Sequence, residues 1–144
     1  MVDLFGLTNV SFKGEEADIR TIWTENHALI LPSRYEGLPL VIIEAMLCGR
    51  MVITTEIAGN SEYIIDGEHG FIADAPTCKS LDATMERAWS RRADWALMGI
   101  QARAHAMKEI PPNPIEIFSR KLLDVITRDQ PVSRTNRRYL KRIL

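Results

Sequence analysis

A chain of 144 residues with 46% hydrophobic and 26% charged residues is sized and composed for one compact domain, and is unlike a disordered or fibrous sequence. The net charge of −1 conceals a segregation: five of the 18 basic residues, Arg134, Arg137, Arg138, Lys141 and Arg142, lie within residues 130–144, and none of the 19 acidic residues does. Cys48 and Cys78 lack the close Cys and His spacing of a zinc site, MVDLFGLTN does not read as a secretory leader, and no apolar run approaches the ~18 residues that span a membrane. Reduced thiols in the cytoplasm are the expectation.

In residues 9–14 (NVSFKG), Val10 and Phe12 alternate with polar residues, the pattern of a short strand. Residues 15–26 follow with Ile19, Ile22 and Trp23 at helical spacing. Residues 27–32 (HALILP) form a continuous apolar run stopped by proline, as expected of a strand buried on both faces of a parallel sheet. Residues 39–48 read as the next helix, with Pro39 at its first position, where a missing N–H costs nothing. Residues 51–55 (MVITT) are β-branched and read as a second buried strand. A turn and short helix over residues 59–65 lead through the turn DGEHG to a strand at residues 71–73.

Beyond Ala75, Leu81, Met85, Ala88 and Trp89 recur on one helix face, and Trp95, Met98 and Ala102 recur on the next. Pro111, Pro112 and Pro114 interrupt. Ile117, Phe118, Leu122, Val125 and Ile126 then mark a third helix. Strands alternating with helices imply right-handed crossovers and a parallel sheet. The expected class is therefore α/β, a Rossmann-like parallel sheet with flanking helices.

The chemistry concentrates in residues 31–73, where Glu36 stands in the loop after a buried strand and Glu44 stands inside the following helix. Ligands of open α/β sheets bind at the carboxyl ends of the strands, where this loop lies. The free amides and dipole of the helix start suit a phosphate group. Two carboxylates flanking that start would repel an anion, yet both are placed to accept hydrogen bonds from hydroxyls at its two ends. A sugar diphosphate ribonucleoside carries hydroxyls there.

The stretch EGLPLVIIE bounded by Glu36 and Glu44, the EAMLCG that overlaps its end, and the later TEIAGNSE and DGEHGF resemble the C-terminal, donor-binding domain of the group 1 glycosyltransferases, family 4 in the usual sequence classification. The resemblance runs from about Val10 to about Leu123. It implies a partial C-terminal domain of a fold with two Rossmann-like domains facing each other across a cleft. Glu36 would contact the donor sugar near the reacting carbon, and Glu44 the ribose hydroxyls. Amides around Gly37, Leu38 and Leu40 would face sugar hydroxyls or phosphate. It also implies transfer of a hexose from a UDP- or GDP-linked donor to a glycan or lipid acceptor, with retention and without a bound metal.

Two departures stand out. Many members have glycine where Pro39 stands, and the family's Arg and Lys pair that neutralises the diphosphate lies upstream of the segment matched here. The expectation is an N-terminally truncated donor domain over residues 1–128, inactive alone, followed by a basic tail over residues 129–144. That tail would fray in solvent or touch an anionic inner membrane surface. A non-catalytic nucleotide-sugar-binding module and a sugar-nucleotide epimerase on the same fold are the rival readings.

Several residues receive structural readings. Glu36 could merely favour the positive helix end. Glu44, among apolar neighbours, should have a partner. Glu62 should cap or begin a short helix. Gly59, Gly67 and Gly70 should serve turns needing unusual backbone angles, although the loop of Gly59 lies at the same sheet edge as Glu36. His27, His69 and His105 show no ligand spacing, and His69 should be an exposed turn residue. Trp89 and Trp95 should be core. No phosphate loop, dinucleotide fingerprint or nucleic-acid module is present in the sequence.

Overall fold

The computed structural model describes residues 5–37 and 39–128, and the chain divides into two compact units at the junction of Lys108 and Glu109. In the first unit, residues 9–14 form no strand, and Phe12 is 86% exposed. Alternation alone does not make a strand when no neighbour takes up the backbone hydrogen bonds. Helix α1, Ile19–Glu25, starts later than the spacing predicts, because Asp18 is extended and its carboxylate caps the helix by accepting from the Arg20 amide. Trp23 is the buried residue of α1.

Three parallel strands follow: β1 (Ala28–Leu31), β2 (Met51–Thr55) and β3 (Gly70–Ala73), in the order β1-β2-β3. Leu31 lies opposite Thr54, and Thr55 opposite Ala73. Every residue of β2 is buried, as its composition predicts. In β1 the predicted burial on both faces is not reached: Ile30 is 45% exposed. With β2 bonded on one side only, β1 is an edge of the described sheet, and an edge strand receives less cover.

Helix α2, Leu40–Leu47, connects β1 to β2 and packs on both. Pro39 is its N-cap, one position before the predicted one; its carbonyl accepts from the Ile42 amide at 3.1 Å. A short 3-10 helix, Ala58–Glu62, follows β2, so Glu62 ends that helix and does not begin or cap it. Helix α3, Cys78–Ser90, packs on β2 and β3, and its N-cap Thr77 accepts from the Ser80 amide. Helix α4 spans Trp95–Glu109.

Met51 and Ile53 of β2, Phe71 of β3, Ala88 of α3 and Met98 of α4 form one buried cluster, with Leu81 and Trp95 packed against it. Trp89 departs from the expected core placement and is 58% exposed: the buried face of α3 is set by Thr84 and Ala88, and Trp89 is turned past it. Two glycines are required by close approach. A Cβ at Gly70 would lie 1.9 Å from the Val52 carbonyl oxygen, and one at Gly99 would lie 2.0 Å from that of Gly49. Gly70 thus lacks the unusual backbone angle foreseen for it, while Gly67 has it, at φ +80°.

In the second unit, helix α5, Pro114–Arg128, fulfils the third predicted helix. Arg120 pairs with Glu116 at 2.9 Å, and Phe118, Leu122 and Val125 are exposed along it. The basic tail over residues 129–144 lies outside the described residues.

Candidate active site

Strand β1 ends at Leu31, and the chain then turns across the carboxyl edge of the sheet through Pro32, Ser33 and Arg34 to Glu36. Glu36 is half-buried, and the Ser33 hydroxyl donates to its Oε1 at 2.6 Å. Ser33 is itself held: its carbonyl accepts from the Thr55 hydroxyl at 2.6 Å. Thr54, one residue earlier on β2, donates its hydroxyl to the Leu31 carbonyl at 3.1 Å. The buried Asn60 side chain completes the network, its Nδ2 donating to Thr54 Oγ1 at 2.9 Å and to the Thr55 carbonyl at 3.1 Å. Asn60 Oδ1 is buried with no partner among the described residues.

This network connects the loop after β1 to the loop after β2 and leaves Glu36 Oε2 without a partner among the described residues. Carboxylate hydrogen bonds of this kind contribute about 1.5–3 kcal/mol each when one partner is charged. Ser33, Thr55 and Asn60 were not singled out by sequence reasoning as site residues. The available signal was the pair of hydroxyls closing the otherwise apolar MVITT, since two polar side chains at the carboxyl end of a buried strand need partners.

Glu44 lies four residues into α2 from Leu40, about 6 Å along its axis at 1.5 Å per residue. It is half-buried beside Ile42, Ala45 and Met46, which are buried. The partner expected for it from the chain is absent among the described residues, so its carboxylate is free to accept from a ligand. The amides of Leu40 and Val41 begin the helix and have no intrahelical acceptor. Gly37 is exposed, and a Cβ there would meet nothing within 4 Å. Leu40 is exposed, and Leu38 lies outside the described residues. The structure thus gathers Glu36, Gly37 and the α2 start at one sheet edge. Gly59 is buried in the loop after β2 at that same edge.

His69 contradicts its reading as an exposed turn residue: it is 4% exposed, and its ring lies 4.4 Å from that of His105 on α4. The Ile65 amide donates to its Nδ1 at 3.3 Å. Burial, and then the neighbouring His105, hold its pKa below the usual value near 6.5.

Residues 1–91, which include Glu36 and Glu44, match the family described as Glycosyl transferases group 1. The chain belongs to that family. Among its curated relatives, the Vi polysaccharide biosynthesis protein VipC/TviE of Salmonella typhi is 41% identical over 76 residues, 53% of this chain and 13% of that protein. The glycogen synthase of Pseudomonas aeruginosa is 26% identical over 130 residues, 90% of this chain and 25% of that protein. The chain therefore corresponds to a minor part of these relatives. Sucrose-phosphate synthase of Thermosynechococcus elongatus shares the fold with a TM-score of 0.77 at 23% identity, over 90% of this chain and 33% of that one. The HepE protein of Anabaena, solved with UDP-glucose, gives a TM-score of 0.72 at 23% identity, over 88% of this chain and 34% of that one. The α/β fold and family expected from the sequence are thereby established. No described helix is long and apolar enough to cross a membrane.

Proposed function

We propose that this chain forms the donor-binding part of a retaining glycosyltransferase that moves a hexose from a UDP- or GDP-sugar to a glycan or lipid acceptor. The observation that carries the reading is the pair of carboxylates around the α2 start: Glu36, anchored through Ser33 to β2, and Glu44, half-buried without a partner among the described residues. The α2 amides would receive the diphosphate. Glu44 would accept from the ribose hydroxyls, and Glu36 Oε2 from the donor sugar. Gly37, Leu38 and Leu40 would bring backbone amides to the sugar or phosphate.

Catalysis on this reading is positional and electrostatic. A helix start offers about half a positive charge, against roughly two negative charges on a diphosphate, so further cations would have to complete charge balance as the leaving group departs. The anchored Glu36 needs no reorganisation as charge develops at the anomeric carbon, because Ser33 and Thr55 already fix it. Acceptor positioning would come from a second domain facing this one, and the chain alone would transfer little.

The test joins this chain to the N-terminal region of a close relative and measures nucleotide affinity and transfer. Glu44→Ala should weaken UDP or GDP binding roughly 10-fold or more, following the loss of a charge-assisted hydrogen bond. Glu44→Gln should be milder, since one acceptor remains. Glu36→Gln should reduce turnover more than donor affinity. Unchanged nucleotide affinity in both Glu44 variants would sink the ribose role.

A further inference from the structure

His27 precedes β1, and Gly49 and Arg50 precede β2, so these residues mark the amino end of the sheet, opposite Glu36. Two recesses adjoin there and share Gly49 and Arg50. One, of about 630 Å³, is lined by Arg20, Trp23, Arg50, Arg103, Ile100 and Met107 among others. The second, of about 360 Å³, is lined by His27, Arg50, Trp89, Arg92 and Trp95 among others. No carboxylate lines either recess. In a chain of net charge −1, two adjoining recesses lined by four arginines, three of them without a carboxylate partner among the described residues, form a groove where the sign is locally reversed.

The charges are unequally committed. Arg20 is paired with Asp18 at 3.0 Å. Arg50 donates its Nε to the Trp23 carbonyl at 2.6 Å, a neutral acceptor that fixes the guanidinium without cancelling it. Arg103 has no partner among the described residues. Arg92 lies 5.0 Å from the centre of the Trp89 ring and donates to the Trp89 carbonyl at 3.1 Å. Trp95 meets Trp89 edge-on at 6.1 Å and is held by its own Nε1 bond to the Ala88 carbonyl. Trp89 is therefore an indole braced by two neighbours and still largely open to solvent.

Guanidinium forks suit carboxylates and phosphates, and an indole face suits an apolar ring face with polar groups around it. A sugar ring bearing an acidic group presents both. We propose that this groove holds an anionic oligosaccharide, with Arg50 and Arg103 on its acidic groups and Trp89 against a sugar face. Why a glycan would be at hand rests on the glycosyltransferase reading; the binding itself does not. A single-stranded nucleic acid also stacks on aromatic rings, but it is tracked along its backbone by an extended positive surface. Trp89 is the one largely open indole among the residues lining this groove, Trp23 being buried and Trp95 part-buried, so successive bases would find no second stacking platform, whereas a single sugar face needs only one.

The experiment follows the tryptophan indole signals of this chain by NMR during titration with hexagalacturonate, with maltohexaose, hexauridylate and inorganic phosphate as parallel arms. Hexagalacturonate should shift the Trp89 indole signal at submillimolar to millimolar concentration. Trp95→Phe, which keeps an aromatic ring, should retain binding. Arg103→Ala and Trp89→Ala should each weaken binding about fivefold or more, read from the remaining signals, whereas Lys79→Ala should not. Absence of binding, equal binding of maltohexaose or hexauridylate, binding reproduced by phosphate alone, or indifference to both Arg103→Ala and Trp89→Ala would each overturn the proposal. A parallel titration with UDP separates the two readings: UDP binding without hexagalacturonate binding removes the groove and leaves the donor site, and the converse leaves the groove.

Discussion

Enclosure of His69 against His105 makes its charged form unfavourable, and the Tyr63 backbone and Glu68 only partly offset this. Its folded pKa is depressed, so near neutrality it contributes no proton-linked penalty. As pH falls below about 6.5 the unfolded chain takes up a proton that the folded chain resists, and stability declines until the folded pKa is passed. Thermal unfolding between pH 8 and 5 should show this loss, and an NMR titration should place His69 below the ordinary histidine value; a His69 that titrates at or above 6.5 would contradict the enclosure. Sequence reasoning missed it because a histidine in DGEHG looks like any turn residue until α4 brings His105 against it. Glu36 and Glu44 could be named as candidates because their spacing and flanks resemble a family pattern. Ser33, Thr55 and Asn60 were not, since a hydroxyl or amide that braces a carboxylate across two strands leaves no periodic trace.

Elements were readable where one segment decides its own state. Helices α2 to α5 and strand β2 follow from apolar spacing and the prolines. Reading failed where a neighbour decides: residues 9–14 alternate but find no strand to pair with, and β1 is only half covered at the sheet edge. Glycines divide in the same way. At Gly70, β3 runs so close to Val52 that a methyl group would overlap its carbonyl, whereas the space beside Gly37 is open. Gly70→Ala should cost about 1–3 kcal/mol or more, lowering Tm by several degrees. Gly37→Ala should leave Tm nearly unchanged while weakening nucleotide binding if the loop approaches the donor. Equal Tm values for the two variants would mean that β2 and β3 are not packed as described.

At the scale of the molecule, no three His, Cys, Asp or Glu side chains converge as metal ligands among the described residues. The proposed donor site would rely on helix amides and cations, so a chelator should leave transfer by the enzyme joined to a relative's N-terminal region nearly intact. Loss of turnover with EDTA, restored by magnesium or manganese, would require a different account of the diphosphate. The sheet edge was legible from alternating strands and helices, but its wiring was not, and that wiring bears on how the protein folds. Strands β1 and β2 are separated in the chain by α2, and Ser33 meets Thr55 only after they pair. A one-residue slip would turn the Thr55 hydroxyl to the opposite face of the sheet. Ser33 would lose its tether, and Glu36 would swing free. Strand register is thus written into the aim of one carboxylate, so a misthreaded chain would declare itself as an inert one.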